Sequence, residues 1–147
     1  DLPRLDAAER PSDPTKLRLI GRRQLRSNNS WMHNVPKLMA GKARCTLLMH
    51  PADADARGIA QGARVRLSSR VGQVEVDVEL DDDLMPGVVC MPHGFGHGRE
   101  GVRLETARAH AGTSINDVTD ERFIDALSGN AALSGVPVSV ELAAAAQ

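Results

Sequence analysis

The chain has 147 residues, the size of one ordinary domain, and its 41% hydrophobic content is enough to bury a single core without disulfides or metals. With 18 Lys plus Arg against 19 Asp plus Glu the net charge is −1, so no global field draws in nucleic acid, and none is expected as a partner. No apolar run approaches the roughly 18 residues of a membrane span and no basic-then-apolar leader is present, so no membrane-spanning segment is expected.

Residues 1–16 scatter Pro3, Pro11 and Pro14 among charged side chains without any period, and read as a linker from a missing upstream region. The chain begins at Asp1 without Met, as an excised piece would, which leaves open a targeting signal further upstream. The ordered domain is expected over 17–142, with 143–147 as a tail. Residues 17–20 form a short strand ending at Gly21. The stretch 22–34 then shows neither apolar period and is long for a loop in a compact domain, the kind that is functional or disordered. Residues 45–49 are a second strand, and Pro51 followed by 52–57 reads as a short helix, proline in its first turn and Gly58 just past its end. A third strand, 64–68, turns at 70–72. Val74, Val76, Val78 and Leu80 then alternate with Glu75, Asp77 and Glu79, the pattern of a strand with one buried face.

After a turn at 81–87, residues 88–91 (Val-Val-Cys-Met) suit a strand buried on both faces. A second long loop, rich in Gly, His and Arg, occupies 92–112. Residues 120–127 are predicted to be a short helix with Thr119 as its N-cap, Phe123, Ile124 and Leu127 facing inward and Gly129 beyond its end. Alternation at Val136, Val138, Val140 and Leu142 marks a closing strand. Six or so short strands with glycine-rich connections predict a small closed β-barrel, because closure removes the exposed edges such strands would present. Trp31, Phe95 and Phe123 are the only Trp, Tyr or Phe residues, so the core must be aliphatic. Cys45 and Cys90 are too far apart for a redox or zinc motif and read as buried thiols of a reducing, cytoplasmic compartment.

Three segments carry chemistry. Residues 21–34 (Gly-Arg-Arg-Gln-Leu-Arg-Ser-Asn-Asn-Ser-Trp-Met-His-Asn) offer forked cationic donors and amides suited to phosphate oxygens and the edge of a heterocycle. The plain alternative is a solvated loop whose arginines pair with carboxylates elsewhere. In 93–98 (His-Gly-Phe-Gly-His-Gly) alternate glycines let the backbone approach a ligand, with Phe95 as an apolar platform; a mobile loop is the alternative, and the pattern is not a Rossmann fingerprint. His93 and His97 would share a face only on a helix, which these glycines oppose, so no metal site is expected. Residues 113–120 offer Asn116 and Asp117 to a nucleobase or pterin edge, or simply form a capping segment. No nucleophile–base pair stands out, and no catalytic centre is expected in this chain.

In order, these segments resemble the C-terminal molybdopterin dinucleotide-binding domain of the dimethyl sulfoxide reductase family of molybdenum and tungsten oxidoreductases, which includes formate dehydrogenases and nitrate reductases. The residues that carry the resemblance are Ile20-Gly21-Arg22 with the Asn-rich loop, His50-Pro51-Ala52-Asp53-Ala54 leading to Gly58 through Val65, and the turn from Ser69 to Gly72. Met85-Pro86-Gly87-Val88-Val89, Pro92-His93-Gly94, Ser114-Ile115-Asn116 and Pro137-Val138 complete the set. The resemblance implies a six-stranded double-psi β-barrel with short peripheral helices that holds one or both halves of a bis-molybdopterin guanine dinucleotide, the molybdenum or tungsten being carried by the full-length enzyme. By position it implies Gly21, Arg22, Arg23, Ser27, Asn28, Asn29 and Ser30 as the main contact loop, His93, Gly94 and Phe95 as the second, and Asn116 with Asp117 as the third contact. It places the metal's protein ligand, any iron–sulfur cluster and the substrate funnel in upstream domains of the same polypeptide, a formate dehydrogenase-like enzyme being the preferred parent. Family members often carry a basic residue near the final strand; residues 133–136 (Leu-Ser-Gly-Val) have none, and the first-loop arginines would substitute. A non-catalytic double-psi barrel that binds protein or peptide is the competing reading. A self-processing decarboxylase-like barrel is disfavoured, because no Gly-Ser bond exists to cleave.

Overall fold

A computed structural model describes residues 15–122, 124–131 and 133–144. Residues 1–14 of the linker expected over 1–16, the predicted inward-facing Phe123 and the end of the tail lie outside the described residues. Six strands close into a barrel: β1 (Leu17–Arg22), β2 (Thr46–Met49), β3 (Arg64–Ser68), β4 (Gln73–Leu80), β5 (Val88–Pro92) and β6 (Val136–Leu142), in the spatial order β1-β5-β2-β4-β3-β6. Two pairs run parallel, β1 with β5 and β2 with β4, and the other neighbours are antiparallel. This interleaving of two parallel pairs in a closed six-stranded ring is the double-psi topology.

The strands follow the sequence pattern closely. In β4, Val74, Val76 and Val78 are buried while Gln73, Glu75 and Asp77 face solvent. In β5, Val89 through Pro92 are all buried, because one face lines the core and the other lies under the loops. Leu19, Leu47, Met49, Val65, Leu67, Val89, Met91 and Val138 are fully withdrawn from water and fill the barrel with aliphatic side chains. Each contributes about 1.5–3 kcal/mol of burial free energy before conformational entropy is charged against it.

Among the described residues, three short α-helices sit outside the barrel: α1 (Pro36–Met39), α2 (Pro51–Asp55) and α3 (Glu105–Ala109). At α2 the imidazole of His50 accepts from the Ala52 amide (3.1 Å), and the Asp53 carboxylate accepts from the Gly87 amide (2.6 Å), which pins the helix to the turn before β5. The predicted helix over 120–127 does not form. Ile124 makes an isolated antiparallel bridge with Ala131 instead, and Ile124 and Leu127 are exposed. The reason is local: the Asp125 carboxylate accepts from the Ser128 amide and hydroxyl, and the Gly129 amide bonds the Asp125 carbonyl, closing a turn where the helix would have continued. Thr119 does not cap it; its hydroxyl donates to the Asn116 carbonyl (3.2 Å). Among the described residues no helix is long and apolar enough to cross a membrane.

Candidate functional site

The parallel register of β1 and β5 decides where the two long loops begin. Gly21 lies beside Met91 and Arg22 beside Pro92, and the His93 amide donates to the Arg22 carbonyl (3.0 Å). The first loop (23–34) and the second loop (93–104) therefore leave the same end of the barrel from adjacent strands. Two glycines let them close on each other. Gly94 has φ +92°, and a Cβ there would sit 2.1 Å from the Asn29 carbonyl oxygen; Gly96 has φ +107°, and a Cβ would sit 2.8 Å from the Ser114 Cβ. Any side chain at either place would force apart the first loop, the second loop and the 3-10 turn Ile115–Asp117. The His93 ring lies against the backbone of Gly21 in the same way.

These contacts border an open cavity of about 410 Å3 lined by Arg23, Asn29 and Ser30 from the first loop, His93, Gly94, Phe95 and His97 from the second, and Ser114, Asn116 and Leu133. A shallower recess of about 480 Å3 continues along Arg23, Asn28 and Asn29. The first loop itself is a run of tight turns in which Asn28 and Asn29 take left-handed conformations (φ 41° and 63°), which asparagine tolerates better than most residues. Arg23 Nη1 donates to the Asn29 side-chain oxygen (2.6 Å), which holds the exposed guanidinium at the cavity edge. Burial, and then the charge of Arg23, pushes the His93 pKa below its usual value. His93 is thus biased toward a neutral imidazole with one donor and one acceptor.

Not every expected residue faces this cavity. Arg22 turns the other way: Nη1 donates to the Cys90 carbonyl (2.6 Å), and Nη2 to the Thr46 carbonyl (2.9 Å) and hydroxyl (2.9 Å). The Thr46 hydroxyl in turn donates to Glu79, which is ion-paired with Lys42. Arg22 therefore clasps β1, β5 and β2 together. Ser27 is fully buried inside the first loop, and Gly21 supports His93 from beneath. The Asp117 carboxylate pairs with Arg99 and borders a separate recess behind Gly96. Phe95 is not a free platform, since its ring is largely buried and packs on the ring of His33 with centroids 4.4 Å apart.

Sequence reasoning missed His97, Ser114 and Leu133 as cavity walls and His33 as their support. It also missed Asn34, whose side-chain oxygen accepts from the Thr106 and Ala107 amides (3.1 and 3.4 Å). That amide caps α3 from a distance, where the helix's own Leu104 supplies no side-chain acceptor. No local signal links residues this far apart in sequence.

The set of groups is one for binding: a cation, neutral amides and hydroxyls, imidazoles and an open backbone around an apolar wall. Residues 17–137 match the family model of the molydopterin (that is, molybdopterin) dinucleotide binding domain. The chain belongs to the molybdopterin dinucleotide-binding domain family. Among its relatives, a tetrathionate reductase subunit of Salmonella typhimurium is 27% identical over 124 residues, covering 73% of this chain and 12% of its own length. The molybdopterin-containing subunit of the arsenate respiratory reductase of Chrysiogenes arsenatis is 28% identical over 120 residues, covering 76% of this chain and 14% of its own. Acetylene hydratase from Pelobacter acetylenicus superposes with a TM-score of 0.73 at 19% identity, over 88% of this chain and 18% of that one, and shares the barrel fold. This molybdopterin dinucleotide-binding domain thus spans less than a fifth of each of these proteins.

Proposed function

We propose that the chain holds the dinucleotide end of a pterin cofactor, in the guanine form, as the C-terminal part of a molybdenum or tungsten oxidoreductase. The observation that carries this reading is the meeting of the first loop, the second loop and the Ser114–Asn116 segment around one cavity of about 410 Å3. That volume falls among ordinary cofactor clefts, which run to roughly 300–1,000 Å3. The donor set fits the group. Arg23 offers a fixed positive fork to phosphate oxygens, and Asn29, Ser30, Ser114 and Asn116 offer short amide and hydroxyl groups to a heterocycle's edge. His93, biased toward neutrality, adds a hydrogen bond without adding charge, and Gly94 allows the backbone to approach closely. Leu133, half exposed, and the edge of the buried Phe95 supply the apolar part of the lining.

When bound, the metal carried by the pterin supplies the electron-transfer chemistry, and the residues here position it. The alternating strands and closed core over 17–142 support treating that range as the cofactor-binding unit, with 1–16 leading in from other domains of the same polypeptide and 143–147 as a tail. Those domains would contribute the metal's protein ligand, any iron–sulfur cluster, and the second half of a bis-dinucleotide cradle. The names of the relatives favour a reductase over a formate dehydrogenase as the parent activity, and two free thiols fit a reducing, cytoplasmic setting. The test is the pterin content of the natural full-length protein carrying Arg23→Ala or Asn116→Ala, with the exposed Lys37→Ala as control. Loss of a charge-assisted contact at Arg23 is expected to weaken retention about tenfold or more. Undiminished pterin in both variants overturns the reading.

A further inference from the structure

His33 is the least explained residue of the site. It is fully buried at the end of the first loop, its ring packed against Phe95, and its Nδ1 lies 2.7 Å from Nε2 of His97 in an edge-on arrangement of the two imidazoles. Burying an imidazole costs free energy that a leucine or phenylalanine in the same slot would not incur, so packing alone does not account for it. Its hydrogen-bonding side-chain partner is a residue of the cavity wall. His97 is held through its backbone as well, its amide bonding the Ala111 carbonyl (3.0 Å). With the backbone fixed and Nε2 engaged by His33, the His97 ring keeps one orientation, and Nδ1 is the nitrogen left for a ligand in the cavity.

We propose that His97 is a further cofactor-contacting side chain and that His33 is the positioning residue that fixes which of its ring nitrogens meets the ligand. The inference rests on the cofactor reading above and deepens it: the group His97 meets is a polar edge of the pterin dinucleotide, a ring nitrogen, carbonyl or phosphate oxygen. Because one hydrogen bond joins the two imidazoles, a single proton lies between them, and the side-chain chemistry presented by His97 is set from behind by a residue the ligand never touches.

The experiment uses the natural full-length protein as purified with its cofactor and measures the rate at which pterin is lost on repeated gel filtration. The variants are His33→Phe, His33→Asn, His97→Ala and the His33→Phe/His97→Ala double, with melting temperature followed in parallel. His33→Phe keeps the contact with Phe95 and removes the hydrogen bond; His33→Asn restores a short polar atom near Nδ1. The expected result is pterin loss about fivefold to tenfold faster in His33→Phe and in His97→Ala, the scale of one hydrogen bond, with the double variant no worse than His97→Ala. His33→Asn recovers most of the retention, and the melting temperatures of the two single variants do not track their retention. Wild-type retention in His33→Phe, or additive losses in the double, overturns the proposal. Should His33→Phe not fold, His97→Ala decides it, and full retention there is a refutation. A failure confined to these variants, with Arg23→Ala still losing pterin, sinks the histidine pair alone; full retention in Arg23→Ala as well sinks the cofactor reading itself.

Discussion

Arg22 and Arg23 are neighbours in sequence, and their replacement by alanine separates two kinds of failure. In Arg22→Ala, three hydrogen bonds from one guanidinium disappear: to the Cys90 carbonyl at 2.6 Å and to the Thr46 carbonyl and hydroxyl at 2.9 Å each. A fourth, to the Arg44 carbonyl at 3.4 Å, is too long to count for much. Hydrogen bonds from a charged donor are worth about 1.5–3 kcal/mol each when buried, and this side chain is only half-buried. Discounting for solvent gives about 1 kcal/mol apiece, a total near 3 kcal/mol. At about 2–4 °C per kcal/mol for a domain of this size, the melting temperature should fall by roughly 6–12 °C. Thermal denaturation followed by far-ultraviolet circular dichroism reads this directly. Arg23→Ala, which breaks an exposed hydrogen bond to Asn29 on the surface of the first loop, should leave the melting temperature nearly unchanged while reducing pterin content. The reasoning fails if Arg22→Ala melts within about 2 °C of wild type yet loses its pterin, since Arg22 would then be a ligand and not a clasp.

Further outcomes follow from the same geometry. Gly94→Ala should unfold or detach the loops, because its Cβ would lie 2.1 Å from a backbone oxygen, whereas Gly87→Ala, also at positive φ but with no atom within 4 Å, should cost only about 1 kcal/mol in a denaturant titration. The Asp120 carboxyl, hydrogen-bonded by Arg70 at 2.5 and 2.6 Å, is pushed down to about 2 from 3.8. The unfolded chain therefore takes up this proton first. The pair's stabilisation is present above about pH 4 and is lost as pH falls toward 2, so Arg70→Ala should flatten that part of an acid melting profile. Burial, then the charge of His97 and of Arg44, pushes the His33 pKa below 6.5. A depressed imidazole means that stability declines as pH drops below 6.5 toward the folded-state value, and melting curves of His33→Phe between pH 7.5 and 5 should lack that component.

The strands were legible because each rests on a pattern of its own residues. The valines of β4 alternate with carboxylates, and the apolar run of β5 is continuous because both its faces are covered. The position of the two polar loops could be read as important but not as shared, since their meeting depends on the parallel register that sets Arg22 beside Pro92. The predicted helix over 120–127 failed because Phe123, Ile124 and Leu127 are spaced as a helical face while Asp125, Ser128 and Gly129 close a turn, and at that length the side-chain bonds of the turn win. Helices α1 and α3 are too short for any period to register. The division of labour between Arg22 and Arg23 was invisible as well: successive side chains at a strand end point to opposite sides, and only the fold says which side holds the cavity.

The most direct test is amide hydrogen exchange on the full-length protein, prepared with and without its pterin. Residues 28–30 and 93–96 should slow together when the cofactor is present, with the amides of β3, whose residues do not line the cavity, unchanged. Cofactor-dependent protection that spares either loop would contradict a binding site built where the two meet.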